Sequence, residues 1–108
     1  MLNRKDMLGL IDATADEINE ILETAANMKK LLKEGNKQLP YLEGSTATIL
    51  FYENSTRTRT SFELAAKYMG AKVVNISAGS SSVAKGETLV DTGKTLDAQK
   101  NDFIIIRH

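Results

Sequence analysis

The alternation of amphipathic helical segments with short apolar runs is the feature that most limits the folds open to this chain. Helical periodicity is predicted in three segments, roughly Ala15 to Lys33, Ser55 to Tyr68, and a segment starting near Gly86. Runs typical of strands cover residues 46–52, 71–76 and 103–106, and the last run should be buried on both faces. This order predicts an α/β fold, a doubly wound parallel sheet with right-handed crossovers and helices on both faces.

Local signals mark where the helices should begin and end. Thr14 and Glu17 stand at the spacing of a capping box, in which each side chain bonds the backbone N–H of the other residue. Gly35 and Gly70 are expected to end the first two helices, because glycine adopts the left-handed conformation that follows many helices. Gly93 lies inside the third helix and should weaken it by about 1 kcal/mol relative to alanine.

The charge balance and the residue types that are missing exclude several classes of protein. Fourteen basic and fourteen acidic residues cancel, whereas proteins that bind nucleic acid or membrane surfaces normally carry a basic excess. Without cysteine there can be no disulfide or thiolate metal site, and one histidine cannot form a histidine metal cluster. No signal peptide or run of transmembrane length is present, so we expect a cytoplasmic setting.

Polar and cationic side chains follow each of the three predicted strands. The clusters are Ser55 to Arg59, Ser80 to Lys85, and Arg107 with His108. Because the carboxyl ends of parallel strands lie on the same side of a sheet, we expect these clusters to converge. The patterns G-x-x-x-x-G-K-[ST] and G-x-G-x-x-G are both absent, so an ordinary P-loop or dinucleotide site is not indicated.

The first cluster lies where a strand ends and a helix begins, which is physically a site for an anion. The first turn of a helix presents unpaired N–H groups and the positive end of its dipole. Ser55, Thr56 and Thr58 add hydroxyl donors, and Arg57 adds a planar cation that suits phosphate oxygens. The sequence therefore predicts phosphate recognition, with a merely hydroxyl-capped, solvated helix start as the alternative. Arg59 is interpreted as a structural ion-pair partner rather than a ligand contact.

Two sequence motifs in these clusters resemble those of a known enzyme family. The segment F-Y-E-N-S-T-R-T-R-T-S-F-E, residues 51–63, resembles the carbamoyl phosphate signature of the transcarbamoylases. The segment S-S-S-V-A-K-G-E-T, residues 80–88, is similar to a loop of the aspartate-specific members, the aspartate carbamoyltransferases. The terminal I-I-I-R-H is similar to the next strand of the family, which ordinarily continues with proline. The resemblance covers essentially the whole chain.

The resemblance implies a role for each site residue. The phosphate of carbamoyl phosphate would be held by Ser55, Thr56, Arg57 and Thr58, with Thr58 also near the carbonyl oxygen and Arg107 contacting both groups. Ser81 and Lys85 would reach into the active site of a neighbouring subunit and bind L-aspartate or phosphate there. The residues implied in catalysis are Arg57, Thr58, Lys85 and Arg107.

The resemblance also implies a reaction and its partners. The amino group of L-aspartate would attack the carbamoyl carbon of carbamoyl phosphate, giving N-carbamoyl-L-aspartate and phosphate in pyrimidine biosynthesis. Fixed donors would stabilise the developing oxyanion and the leaving phosphate. No metal and no organic cofactor is needed for this chemistry. The working unit would be a homotrimer with shared active sites, with or without regulatory chains.

Several expectations concern what the chain does not carry. By resemblance, residues 1–108 form an incomplete carbamoyl phosphate-binding domain from the N-terminal part of a longer protein, and the aspartate-binding domain is absent. The family's catalytic histidine comes well downstream, so His108 is not that residue. Two alternatives stay open: an ornithine or other transcarbamoylase, and a non-catalytic anion-binding fragment that is inactive alone.

Overall fold

The computed structural model describes residues 2–77 and 89–108. The chain divides into two compact units, Met1–Asn36 and Lys37–His108. The elements in chain order are α1 (Ala15–Lys33), β1 (Thr46–Phe51), α2 (Thr56–Tyr68), β2 (Lys72–Ser77), α3 (Leu89–Ala98) and β3 (Phe103–Arg107). The predicted alternation of helix and strand is therefore confirmed. The predicted start of the third helix near Gly86 lies outside the described residues.

The first unit is built around α1, which has the predicted bounds. Its capping box is present: Glu17 N–H donates to Thr14 Oγ1 at 3.1 Å, and Thr14 N–H donates to Glu17 Oε1 at 3.0 Å. Arg4 donates to both Glu17 carboxylate oxygens at 2.8 Å. These bonds, that from Arg4 foremost, lower the pKa of Glu17 to about 2. Gly35 ends the helix with a φ of 87°, as predicted.

The second unit contains a three-stranded parallel sheet in the order β2-β1-β3. The central strand β1 is the core of the unit, because Ala47 through Leu50 are fully buried and Phe51 is 2% exposed. Helix α2 contacts both β1 and β2. The crossovers from β1 to β2 and from β2 to β3 run in opposite directions across the sheet. The rule that such crossovers are right-handed predicts that α2 and α3 cover opposite faces of the sheet.

Side chains from the turn before β3 fix the register of β3 against β1. Thr46 N–H donates to Asp102 Oδ2 at 2.7 Å, and the Asp102 N–H donates to Thr46 O at 2.9 Å. The buried Thr48 hydroxyl donates to Asn101 Oδ1, and the Asn101 amide nitrogen donates to Leu96 O at 2.8 Å. A slip of one residue would break all of these bonds, so the register of Arg107 beside Phe51 is strongly specified.

The prediction that the run 103–106 is buried on both faces was wrong. Residues 103–105 are half-buried, and Ile106 is 46% exposed. The physical reason is position in the sheet, since among the described strands β3 pairs only with β1 and lies at an edge. An apolar run does not by itself reveal how many neighbours a strand has.

The turn after α2 brings the chain back into the sheet. Gly70 has a φ of 91°, and a Cβ built on it would lie 3.1 Å from Leu39 O. Glycine is therefore required both for the left-handed conformation and for the close approach of the neighbouring backbone. The prediction that Gly70 ends the helix is confirmed. Among the described residues, no helix is long and apolar enough to span a bilayer.

Candidate functional site

The carboxyl ends of β1 and β3 form the point where the chain changes direction in the sheet. From β1 the chain continues to β2 on one side, whereas β3 lies on the other side. In open parallel sheets, ligands bind in the crevice outside such a switch point. The residues after β1 are those of the predicted phosphate cluster, and β3 ends in Arg107.

Helix α2 begins in this crevice without the stabilising features that mark the start of α1. Ser55 is the N-cap residue, yet its side chain makes no capping hydrogen bond. The first turn of α2 contains no acidic residue and includes Arg57, whereas the first turn of α1 contains Asp16 and Glu17. Since the positive end of the helix dipole favours negative charge, α2 leaves this preference unmet within its own sequence. The alternative of a merely hydroxyl-capped helix start is therefore not supported.

Arg107 from β3 holds two hydroxyl groups of the turn that follows β1. Its Nη1 donates to Ser55 Oγ at 2.8 Å and to Thr58 Oγ1 at 3.2 Å. Each hydroxyl accepts a hydrogen from the arginine and keeps its own O–H for another acceptor. The contact thus orients two O–H donors beside a guanidinium, an arrangement suited to an oxyanion. The predicted convergence of the first and third clusters is observed here.

Glu53 is a site residue to which the sequence reasoning assigned no role. Its Oε2 lies 3.2 Å from Arg107 Nε, and the two side chains are 52% and 44% exposed respectively. The carboxylate partly neutralises the guanidinium on the side away from the two hydroxyls. Its position directly after β1, inside the quoted motif, was the available signal. The pairing itself depends on a side-chain conformation that the sequence does not specify.

The remaining residues of the cluster are placed on the same turn. Thr56 and Arg57 occupy the first two positions of α2, and both are exposed. Tyr52 and His108 pack with ring centroids 4.8 Å apart, and Tyr52 N–H donates to Arg107 O at 2.8 Å. These contacts hold the end of β3 against the end of β1. The roles predicted for Ser81 and Lys85 fall outside the described residues.

No salt bridge among the described residues includes Arg59, so the expected ion pair is not found in that part of the chain. Its guanidinium lies over the ring of Phe51, 5.7 Å from the centroid. Its Nε is buried without a hydrogen-bond partner in the described part of the chain. The nearby carboxylate of Glu63 bonds Lys67 at 2.8 Å and also accepts from Asn75.

Comparison with known proteins agrees with this geometry. Residues 5–108 match the model of the aspartate/ornithine carbamoyltransferase, carbamoyl-P binding domain. The chain is 60% identical over 107 residues to the aspartate carbamoyltransferase catalytic subunit of Ruminiclostridium cellulolyticum, covering 99% of this chain and 34% of the relative. For the catalytic subunit of Acetivibrio thermocellus the values are 59% identity, 100% of this chain and 35% of the relative.

Solved structures show the same similarity. The M. jannaschii aspartate transcarbamoylase catalytic subunit superposes with a TM-score of 0.84 at 42% identity, covering 97% of this chain and 34% of that one. Aspartate transcarbamoylase from Trypanosoma cruzi, in complex with carbamoyl aspartate and phosphate, gives 0.83 at 36% identity, covering 96% and 33%. The chain thus spans about a third of the length of these relatives. With the family model matching nearly every residue, the chain belongs to the aspartate/ornithine carbamoyltransferase family.

Proposed function

We propose that this chain supplies the carbamoyl phosphate half of an aspartate carbamoyltransferase active site. The single observation that carries the proposal is the contact of Arg107 with Ser55 and Thr58, which joins the ends of two strands around an uncapped helix start. In this proposal the domain formed by residues 1–108 binds carbamoyl phosphate.

The arrangement suits a doubly charged phosphate group with a carbonyl attached. The O–H groups of Ser55 and Thr58 and the first N–H groups of α2 would donate to phosphate oxygens. Exposed Thr56 and Arg57 would reach the same group from the outer side of the turn. Arg107 would contact phosphate and carbonyl oxygens together, since its guanidinium offers several donors in one plane.

The proposed reaction uses these donors as negative charge develops. The amino nitrogen of L-aspartate attacks the carbamoyl carbon, the bond from that carbon to the phosphate oxygen breaks, and the proton lost by the amine passes to the leaving phosphate. Charge grows on the carbonyl oxygen and then on the leaving phosphate, where fixed donors are most effective. Holding the two substrates together would remove much of the entropic barrier.

The choice of aspartate as acceptor, and the assembly, are parts of the same proposal. The sequence of residues 80–88 resembles the aspartate-specific loop, and the relatives described above are aspartate-specific by name. Ser81 and Lys85 would act in the site of a neighbouring subunit of a homotrimer. We place the activity in the cytoplasm, in pyrimidine biosynthesis.

A chimaera tests the proposed activity. This chain would replace the first third of the Ruminiclostridium cellulolyticum subunit, and radiolabelled product would be measured with aspartate and with ornithine. We expect carbamoyl transfer to aspartate only, and its loss in the Arg107→Gln chimaera. A folded chimaera that prefers ornithine, or that keeps its rate without Arg107, would contradict the proposal.

A further inference from the structure

Arg59 stands out among the arginines of the second unit because it is half-buried and no salt bridge among the described residues includes it. Arg107 is paired with Glu53, and Arg57 is exposed to water. Arg59 is half-buried, and its Nε is fully buried without an acceptor among residues 2–77 and 89–108. A buried cation without a partner costs stability, so natural proteins seldom keep one without a compensating use.

The nearest candidate for a counter-ion is engaged elsewhere. Glu63 follows Arg59 by one helical turn, but its two oxygens accept hydrogen bonds from Lys67 and Asn75. The pKa of Glu63 is lowered mainly by the hydrogen bond from Lys67, and the charge of Arg59 is the last of the contributing causes. Glu63 therefore attracts Arg59 electrostatically, but it accepts its hydrogen bonds from Lys67 and Asn75 rather than from Arg59.

Arg59 belongs to the first turn of α2, the turn that also carries the proposed phosphate donors. It is the fourth residue of α2, and its N–H makes the first backbone bond of the helix, to Ser55 O at 2.9 Å. Its guanidinium lies over Phe51, which is paired in register with Arg107 on β3.

We infer that Arg59 is a positioning residue of the anion site, a half-buried positive charge that attracts a phosphate dianion without touching it. The inference rests on the proposed function, because it assumes that an anion binds at the start of α2. The bound anion would offset the cost of keeping Arg59 unpaired. In the free protein, removing the charge should therefore not lower stability.

The test compares Arg59→Met with Arg59→Lys in the 108-residue chain, using inorganic phosphate as the probe. Methionine keeps an unbranched apolar side chain against the Phe51 ring but carries no charge, whereas lysine keeps the charge. Thermal unfolding is measured without and with phosphate, and the phosphate Kd is measured by calorimetry below and above the second pKa of phosphate. Lys72→Met is the control, since it removes an exposed charge where β2 begins, at the opposite edge of the sheet from the carboxyl ends of the strands.

We expect Arg59→Met to melt no lower than the wild type without phosphate and to bind the dianion on the order of tenfold more weakly, as for one charge about a Debye length away. The monoanion should lose less affinity than the dianion. Arg59→Lys should keep most of the wild-type affinity, and Lys72→Met should keep all of it.

Three results would overturn the inference. A large fall in the melting temperature of phosphate-free Arg59→Met, or failure of that variant to fold, would show that Arg59 serves only to stabilise the fold. An equal loss of monoanion and dianion affinity would show an effect of geometry and not of charge. Unchanged binding by Arg59→Met, with a wild type that binds, would refute this inference alone. A wild type that does not bind phosphate would refute the proposed function as well.

Discussion

Replacing Arg107 with glutamine should separate ligand binding from folding stability. Arg107 donates to two hydroxyls at 2.8 and 3.2 Å, and in the proposed complex it also donates to the ligand. Losing a hydrogen bond to a charged group costs about 1.5–3 kcal/mol, and less well oriented hydroxyls would cost about 1 kcal/mol more. The sum is about 3 kcal/mol, which corresponds to a Kd for carbamoyl phosphate that is roughly 100-fold weaker.

The same change should affect folding little. Arg107 is exposed on an edge strand of the described sheet, and its pair with Glu53 involves two side chains that are each about half exposed. Exposed ion pairs contribute about 0.2–1 kcal/mol, so the free energy of unfolding should fall by less than about 1 kcal/mol.

For Arg107→Gln, calorimetric titration with carbamoyl phosphate and with phosphate measures the Kd of each ligand. Urea unfolding measures the free energy of unfolding. Arg4→Gln is the matched control, because it removes one guanidinium that pairs with a carboxylate in the other compact unit. It should leave the affinity unchanged. If Arg107→Gln kept wild-type affinity, or lost no more than the control, the assignment of Arg107 to the anion site would be wrong.

Three further predictions concern the helix ends and the turn after α2. Ser55→Ala should weaken phosphate binding about tenfold in calorimetry, with little change of stability in urea unfolding. Thr14→Ala should lower the stability by about 1 kcal/mol and leave the affinity unchanged, because of these two residues only Thr14 caps its helix. The pKa of Glu17 is lowered to about 2, so its contribution to stability is present above the unfolded-state pKa near 4.5 and is lost as the pH falls towards 2. In an acid titration followed by circular dichroism, Glu17→Gln should therefore show a smaller loss of structure over this pH range than the wild type. In urea unfolding, Gly70→Ala should destabilise the protein by about 1–3 kcal/mol. Gly93→Ala should stabilise it by about 0.5–1 kcal/mol, because the added Cβ would meet nothing within 4 Å.

The helix ends could be predicted from the sequence because their causes are local. The capping box at Thr14 and the left-handed Gly35 and Gly70 involve residues within a few positions of each other, and the structure contains all three features. The meeting of Arg107 with Ser55 could be predicted for a different reason. In a parallel sheet the carboxyl ends of all strands lie on the same side, so this meeting could be predicted without knowing the detailed contacts.

Other features depended on tertiary neighbours and could not be predicted. The exposure of Ile106 depends on how many strands flank β3, and an apolar run carries no such information. The same holds for Glu53 and Arg59. Side-chain conformations in the folded unit decide that Glu53 pairs with Arg107 and that Arg59 lies over the ring of Phe51. The sequence identified the cluster and not the pairing inside it.

The start of α2 offers a direct test of whether this chain gives up stability for binding. Ser55 and Thr58 have the spacing of a capping box, so Thr58→Glu would complete the S-x-x-E pattern at an N-terminus that has no acidic residue. The new carboxylate would also lie within reach of Arg107, which already bonds Thr58. We expect the variant to be about 1 kcal/mol more stable in urea unfolding.

The same variant should lose phosphate binding, because the carboxylate would occupy the place of the anion and repel it. Asp16→Glu, which keeps a carboxylate in the first turn of α1, is the control and should change neither property. A variant that is more stable but no longer binds phosphate is expected if the helix start is left uncapped so that a ligand can bind there. A Thr58→Glu variant that is less stable, or that still binds phosphate, would mean that the uncapped start of α2 has no connection with anion binding.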